Sequence, residues 1–469
     1  MAARAAAAAA RGGAGAGRVL VVGGSLGGLR AAEQLRAAGW RGPVTVVGDE
    51  PHMPYNRPPL SKEALAGTAS FDSLAFTPRA AAADVEWLLG RRVCAVRLRE
   101  RLAVLDDGTE LGFAGLVAAT GLRPRRLTCP GPAGPDSGRH VLRTLGDARA
   151  LRDGLLRPGV RLVVVGAGFI GCELASTAVQ LGVAEVTVVD VVRLPMLRPL
   201  GEGLARVLRR RHEARGVKFV LGAGVAAFGG EGRVTSVVLD DGRVLAADLV
   251  VECVGTVPNT EWLDGNGLDL SDGVRTDGQL RVGGLPYAVA VGDVARFPDP
   301  RHGGLARRVE HWSMPGDSAR HAGRVLAAYV GGGVVVGGAA AEGTVAGGAA
   351  GGEASEGAAA GGAVTGSAVD EGSAAPFAPL PSFWSDQHGF RLRSFGAPEL
   401  GSGDVELIEG TFDIEGALDE DPGAPENDIV AGYHADGRLV GVVALGGPGA
   451  SAAAARHRVQ LLRQPVPLA

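Results

Sequence analysis

Cysteine is scarce in this chain. Only Cys94, Cys129, Cys172 and Cys253 occur in 469 residues, with no CxxC and no metal-ligand spacing. That scarcity argues against a disulfide framework or a metal centre and fits a reducing, cytoplasmic setting. A strong charge of one sign is also missing. The net charge is −4, so no basic field points to nucleic acid or to an anionic membrane surface. No segment approaches the roughly 18 uninterrupted large apolar residues that read as a membrane-crossing helix. Residues 1–17, mostly Ala, Gly and Arg, lack the Leu/Val-type core of a secretory signal. They are expected to form a disordered leader, with an organelle-targeting peptide as the alternative.

Apolar residues are plentiful at 46%, and the length predicts two or three domains. The runs Val19–Val22, Val44–Val47, Leu162–Val165 and Val186–Val189 are continuously apolar, as strands buried on both faces of a parallel α/β sheet are. From Gly331 to Ala375, Gly, Ala, Ser, Thr and Glu dominate and aromatics are absent. Such a stretch buries too little apolar surface to offset its ordering entropy, which predicts a disordered linker. Aromatics return after Pro376 with Phe377, Phe383, Trp384, Phe390 and Phe395. A strand-like run at Asp428–Tyr433 and an Asp436-Gly437 turn predict a hairpin in a smaller α+β domain. The acidic stretch Leu418–Asp421 reads as a solvated loop.

Two glycine-rich turns carry the first functional signal. Gly23-Gly24-Ser25-Leu26-Gly27-Gly28 follows an apolar strand and is expected to open a helix over Leu29–Ala38. In such a turn Gly23 permits the tight bend, Gly28 lets helix and strand approach, and the helix N-terminus faces a pyrophosphate. Ser25 replaces the usual second glycine; it is small, and its hydroxyl can donate to phosphate. The next strand ends at Asp49-Glu50, where a carboxylate can accept from a ribose hydroxyl. Gly166-Ala167-Gly168-Phe169-Ile170-Gly171 is a complete fingerprint before a helix expected over Cys172–Leu181. The strand after it ends at Asp190, which would accept from NAD ribose hydroxyls and repel the 2′-phosphate of NADP. A single glycine-rich turn can serve packing alone. Two, each followed by an acid at the right distance, predict two dinucleotides facing one another.

The sequence from Asp49-Glu50-Pro51-His52-Met53-Pro54-Tyr55-Asn56-Arg57-Pro58-Pro59-Leu60-Ser61-Lys62 resembles the ferredoxin reductases of bacterial oxygenase systems. That group includes putidaredoxin and rubredoxin reductases and, more distantly, apoptosis-inducing factor, within the pyridine nucleotide-disulfide oxidoreductase superfamily. Similar segments follow in the same order: Ala119-Thr120-Gly121-Leu122-Arg123-Pro124, Val254-Gly255-Thr256-Val257-Pro258-Asn259, Ala290-Val291-Gly292-Asp293-Val294-Ala295, Val309-Glu310-His311-Trp312 and Phe383-Trp384-Ser385-Asp386-Gln387. The resemblance implies two Rossmann-like dinucleotide-binding domains, for FAD and NAD, plus a C-terminal α+β reductase domain. The FAD domain would be discontinuous (18–138 and 256–330), the NAD domain would span 139–255, and the C-terminal domain 376–469.

The same resemblance implies a site. Asp49 and Glu50 would hold the FAD ribose and Arg57 its pyrophosphate, while Val93 and Arg143 match positions near the adenine and the inter-domain linker. Thr120, Gly121 and Gly255 belong to the cofactor-binding strings, and Asp293 would bond the ribityl chain. A helix beginning near Glu310-His311-Trp312 would aim its amides at the flavin pyrimidine. Trp312 and Trp384 would wall the ring system. Lys62 and Glu173 would form an ion pair beside the stacked rings and are the candidate catalytic residues. The activity implied is hydride transfer from NADH to FAD, then single-electron transfer to a ferredoxin-type iron–sulfur protein. Arg79, Arg301, Arg307 and Arg308 are candidates for a basic docking surface, and the C-terminal domain is a candidate homodimer contact. Competing readings are a slow redox-sensing flavoprotein and a thiol-dependent disulfide reductase or NADH oxidase. The thiol route needs a cysteine near Pro58–Lys62, and none lies between Arg18 and Cys94.

Overall fold

The computed structural model of the protein describes residues 17–332, 375–412 and 428–464. The expected leader, nearly all of the expected Gly/Ala-rich linker and the acidic stretch at 418–421 lie outside the described residues. Along the chain come β1 (Val19–Val22), α1 (Leu26–Ala37), β2 (Val44–Gly48), β3 (Glu86–Leu89) and β4 (Gly115–Ala118). They are followed by β5 (Arg139–His140), β6 (Arg161–Val165), α2 (Phe169–Gln180), β7 (Glu185–Asp190), α3 (Leu197–Glu213), β8 (Val217–Leu221) and β9 (Leu249–Glu252). Then come β10 (Ala288–Ala290) and α4 (Met314–Val330), and finally β11 (Ser382–Gln387), β12 (Phe390–Gly396), β13 (Val405–Glu409), β14 (Ile429–Ala435), β15 (Arg438–Gly446) and α5 (Pro448–Arg463).

Two five-stranded sheets are wholly parallel. Their orders are β10-β4-β1-β2-β3 and β8-β7-β6-β9-β5. In each, the strand ahead of a glycine-rich turn (β1 or β6) sits mid-sheet, so its carboxyl end opens between neighbouring strands. Ligands of parallel α/β sheets bind at such crevices. The continuous apolar runs are explained by burial on both faces. Val19 and Val21 enter the core shared with α1 and α4, while Leu20 and Val22 enter the core on the opposite face. Leu162 and Val164 likewise part from Val163 and Val165. Gly323 in α4 touches Gln34 of α1 so closely that a Cβ would lie 2.9 Å from the Gln34 Cβ, which sets how near the two helices come.

The helices begin earlier than the glycine spacing suggests: α1 at Leu26 and α2 at Phe169. Part of each fingerprint is therefore the first helical turn. The helix expected near Glu310 instead starts at Met314, with Pro315 in its first turn, where a missing N–H costs nothing. Glu310, His311 and Trp312 are an irregular approach to it.

The C-terminal sheet is antiparallel, in the order β11-β12-β15-β14-β13. Asp436 (φ 51°) and Gly437 (φ 71°) form the turn between β14 and β15, as an Asp-Gly hairpin requires. Asp428 is not in the strand; its carboxylate accepts from the amides of Gly447 and Ala450 at 2.7 Å each, at the start of α5. One face of this sheet packs on α3, where Leu200, Leu204 and Leu208 meet Phe390, Leu392, Ile429 and Tyr433. The Tyr433 hydroxyl donates to the Leu200 carbonyl at 2.8 Å.

Candidate functional site

The two glycine-rich turns face a common cavity of about 920 Å³, within the range for small-molecule sites. Each turn is tight for a steric reason. Gly166 has φ +110°, and a Cβ there would collide with the Cys253 carbonyl. Gly168, at the start of α2, is the opposite case: among the described residues, nothing beyond its own chain neighbours lies within 4 Å of where its Cβ would be. The helix N-terminus is thus left bare towards the cavity, and its unpaired amides favour an anion there. Ser25 holds the equivalent place before α1, and its hydroxyl makes no capping bond with its own helix.

Asp190, at the end of β7, accepts from the amides of Ala167 (2.6 Å) and Val192 (3.1 Å) while lining the cavity. It thereby ties the acid-bearing strand to the second turn and fixes the carboxylate's orientation.

At the junction of the two parallel sheets, Pro58–Ser61 forms a 3-10 turn that presents Lys62 to α2. Lys62 Nζ lies 2.6 Å from Glu173 Oε2, with both side chains about nine-tenths buried. Lys62 also donates to the Pro58 carbonyl (3.0 Å), and Ser61 Oγ donates to Glu173 Oε2. The expected ion pair is therefore present, inside a cavity wall rather than at the surface.

A second charged group also lines the cavity. Arg57 donates to the Arg143 carbonyl (2.6 Å) and to the Tyr55 hydroxyl (3.0 Å), and pairs with Glu50. Arg143 lies 3.8 Å from Asp293. Burial pushes the Asp293 carboxyl up to about 6, against the pull of Arg143, and burial also lowers the Arg143 guanidinium. Burial holds the His311 imidazole down at about 3, and its Nδ1 is buried without a partner among the described residues. Trp312 and Trp384 pack edge to face with ring centres 5.3 Å apart, and Phe383 packs against both Phe169 and His311.

Of the residues singled out in the sequence, Ser25, Leu26, Gly27, Arg57, Lys62, Gly121 and Arg143 line this cavity. So do Gly166, Gly168, Phe169, Ile170, Glu173, Asp190, Gly255, Asp293, Glu310, His311, Trp312 and Trp384. Gly23, Gly24, Gly28 and Gly171 shape the turns behind its wall. Asp49 projects from the end of β2 into solvent, 4.0 Å from Arg92. Glu50 is turned towards Tyr55 and Arg57, Val93 is packed in an apolar core, and Thr120 donates to the Asn259 carbonyl at 2.6 Å.

Sequence reasoning missed Tyr55 and Ser61 as site residues. Both stand in the motif already quoted, but only the fold shows that the Tyr55 hydroxyl joins Arg57 to Glu50 and that Ser61 donates to Glu173. The docking arginines need correction. Arg307, whose side chain is 10% exposed, is engaged by Asp299 and Glu399; Arg308, at 12%, is engaged by Asp272 and Glu310. Arg301 donates to the Ala378 and Leu461 carbonyls. Charge alone suggested surface, but acids on neighbouring loops draw Arg307 and Arg308 inward and backbone carbonyls hold Arg301; of the four, Arg79 is the one left mostly exposed.

Known proteins resemble this chain along most of its length. The ferredoxin–NAD(+) reductase subunit of the benzene 1,2-dioxygenase system of Pseudomonas putida is 38% identical over 303 residues, 63% of this chain and 70% of that protein. The corresponding component of the anthranilate 1,2-dioxygenase system of Burkholderia cepacia is 33% identical over 432 residues, covering 91% of this chain and 90% of its own. The crystal structure of the covalent putidaredoxin reductase–putidaredoxin complex superposes with a TM-score of 0.75 at 30% identity, over 95% of this chain and 92% of that one. Residues 17–319 match the family model described as pyridine nucleotide-disulphide oxidoreductase. With two parallel sheets, two glycine-rich turns and one shared cavity, the chain belongs to the pyridine nucleotide-disulphide oxidoreductase family.

Proposed function

We propose that this protein is an FAD-dependent oxidoreductase that oxidises NADH and reduces a ferredoxin-type iron–sulfur protein serving an oxygenase. The observation that carries the reading is the facing of two dinucleotide-type turns across one cavity, with the Lys62–Glu173 pair between them. The relatives named as ferredoxin–NAD(+) reductases and the putidaredoxin reductase complex support the electron acceptor.

The residues present fit both dinucleotides. Among the described residues, the open space at Gly168, the Ser25 hydroxyl that caps no amide of its helix and the unpartnered His311 Nδ1 are unused polar or steric capacity on the cavity wall. Residues 18–138 and 256–330 would hold FAD, through the turn at Gly23–Gly28 and through Glu50, Arg57, Arg143 and Asp293. Residues 139–255 would hold NADH, through the turn at Gly166–Gly171 and through Asp190. When bound, the flavin supplies two-electron uptake from NADH and one-electron release to the iron–sulfur protein.

The chain's own residues bind, orient and exclude. Arg57 and Arg143 place positive charge for a pyrophosphate. The carboxylate of Asp190 accepts from ribose hydroxyls and opposes a 2′-phosphate. Lys62, fixed by Glu173 and the Pro58 carbonyl, would offer a buried cation to the negative charge of a reduced flavin. Trp312, Trp384 and Phe383 line the cavity and would shield a bound ring system from water. A thiol route has no support. Burial pushes the Cys253 thiol up to about 12 and raises Cys172 further, so neither offers a thiolate. All four cysteines are free, in keeping with a cytoplasmic setting, and no helix among the described residues is long and apolar enough to cross a membrane.

Anaerobic stopped-flow mixing of the flavin-loaded protein with NADH, then NADPH, then ferredoxin tests the reading. Rapid bleaching by NADH, slow bleaching by NADPH and reoxidation by ferredoxin are expected. A flavin that NADH leaves oxidised overturns the assignment.

A further inference from the structure

The bonding of Glu173 does not stop at Lys62. Its other oxygen, Oε1, accepts from Ser385 Oγ at 2.6 Å, and Ser385 Oγ accepts from Gln387 Nε2 at 2.9 Å. Gln387 Oε1 lies 2.7 Å from His212 Nε2, and His212 Nδ1 lies 3.0 Å from His388 Nε2. Ser385 and His212 are 0% exposed, Gln387 1% and His388 7%. None of these four residues lines the cavity. The chain therefore runs from the cavity wall, through β11 of the C-terminal sheet, into the last turn of α3. The turn after β11 is also tied to α2, since the His388 amide donates to Ser176 Oγ at 2.7 Å.

The direction of every bond follows from its first member. A carboxylate paired with a lysine only accepts, so Ser385 donates its single proton to Glu173. Its oxygen must then accept from Gln387, which fixes the amide with Nε2 towards Ser385 and Oε1 towards His212. A flipped amide would ask the serine for a second proton. His212 must donate through Nε2, which leaves Nδ1 bare to accept from His388 Nε2. One tautomer of each ring satisfies the whole chain, and both rings are neutral. Burial, which holds His212 down at about 4 and His388 at about 3, agrees with that state.

Apolar side chains would fill this volume at lower cost, because a buried amide and two imidazoles are unfavourable unless every partner is met. A fully satisfied chain instead gives Glu173 one fixed orientation. We propose that Gln387 and His212 are positioning residues for the NADH reaction, holding the Glu173 carboxylate beside Lys62 through Ser385. Hydride transfer in this protein thereby depends on the docking of the C-terminal sheet against α2 and α3. The inference rests on the function proposed above.

The test uses the flavin-loaded full chain carrying Gln387→Leu, His212→Leu, His212→Gln or Ser385→Ala, mixed anaerobically with NADH. Gln387→Leu and His212→Leu are expected to slow the limiting bleaching rate by about tenfold or more, with flavin content unchanged. His212→Gln, whose amide can still donate to Gln387, is expected to recover most of that loss. Ser385→Ala removes one hydroxyl and carries the test if the leucine variants do not fold. NMR of the full chain with 15N-labelled histidine gives a second readout: His212 and His388 are expected as neutral Nε2–H tautomers. The His212 signal is expected to move in Ser385→Ala, although Ser385 does not touch it. Wild-type bleaching rates in Ser385→Ala, or His212 protonated on Nδ1, overturn the proposal. If wild-type protein is not bleached by NADH at all, the function itself falls instead.

Discussion

Lys62 Nζ and Glu173 Oε2 lie 2.6 Å apart, joining the loop that follows the first dinucleotide-type strand pair to the helix that follows the second turn. The contact is both a bond between two folded units and a charge pair in the wall of the cavity they share. Glu173 meets three groups, Lys62 and Ser61 at one oxygen and Ser385 at the other, and Thr177 of the same helix donates to the Ser61 carbonyl at 2.7 Å.

Removing one partner leaves the other charge buried and uncompensated. Glu173→Ala is expected to lower stability by about 3 kcal/mol, the usual cost of breaking a buried pair. The double variant Lys62→Met, Glu173→Gln leaves no unpaired charge and is expected to recover most of that stability. It is not expected to recover the rate of flavin reduction by NADH. Urea unfolding together with stopped-flow bleaching separates the two effects. A double variant that reacts at the wild-type rate would show that the pair serves folding alone.

Asp190 makes a different prediction. Its carboxylate orients the second turn and lines the cavity, so Asp190→Asn keeps one acceptor oxygen but loses the charge. The KM for NADH is expected to rise by about tenfold and the preference over NADPH to shrink, because the repulsion of a 2′-phosphate is gone. Steady-state kinetics with both nucleotides decides it; an unchanged ratio would remove Asp190 from nucleotide selection.

The parts of this site that were legible in the sequence are those set by short-range sterics. A glycine-rich turn between an apolar strand and a helix needs its glycines whatever surrounds it, so both turns and the acid at Asp190 could be read directly. The Lys62–Glu173 pair was read only through family resemblance, since nothing local links a loop cation to a distant helix. The partners of Glu173 in the C-terminal sheet, and the His212–Gln387 contact, come from tertiary docking that no spacing encodes. Arg307 and Arg308 misled for the complementary reason: an isolated charge reads as solvated until the fold brings Asp299, Glu399 and Asp272 to it. The helix expected at Glu310 slipped to Met314 because Ser313 and Pro315, rather than the preceding motif, begin it.

The two glycines of the second turn are expected to behave differently under the same substitution. Gly166→Ala drives a methyl group into the Cys253 carbonyl at a positive φ, so the variant is expected to fold poorly. Gly168→Ala meets nothing among the described residues beyond its own chain neighbours and has an ordinary negative φ, so it is expected to fold with normal flavin content. Its methyl group occupies the space over the N-terminus of α2, and NADH binding is expected to weaken by about tenfold or more. Titration with NADH by calorimetry, alongside thermal melts, checks both. Full NADH affinity in Gly168→Ala would move the pyrophosphate away from this helix.

His311 is one source of acid sensitivity, beside His212 and His388, which burial also holds down. Burial places His311 at about 3 in the folded protein, against about 6.5 when unfolded. The unfolded chain therefore binds more protons between these values. The contribution of His311 is fully present above about pH 6.5 and is lost as pH falls towards 3, by about 1.4 kcal/mol per pH unit in the middle of that window. Asp293, pushed up to about 6, works the other way, since the folded state holds its proton more tightly and gains stability as pH falls through 6. Wild-type acid unfolding mixes these opposing terms, so the difference between wild type and His311→Phe is the cleaner quantity. From pH 6 to pH 5 the wild type is expected to lose about 1.2 kcal/mol relative to the variant, read from urea midpoints at each pH. Parallel curves would mean that His311 keeps its ordinary affinity for a proton, and that its buried Nδ1 meets water or another donor rather than standing ready for a ligand.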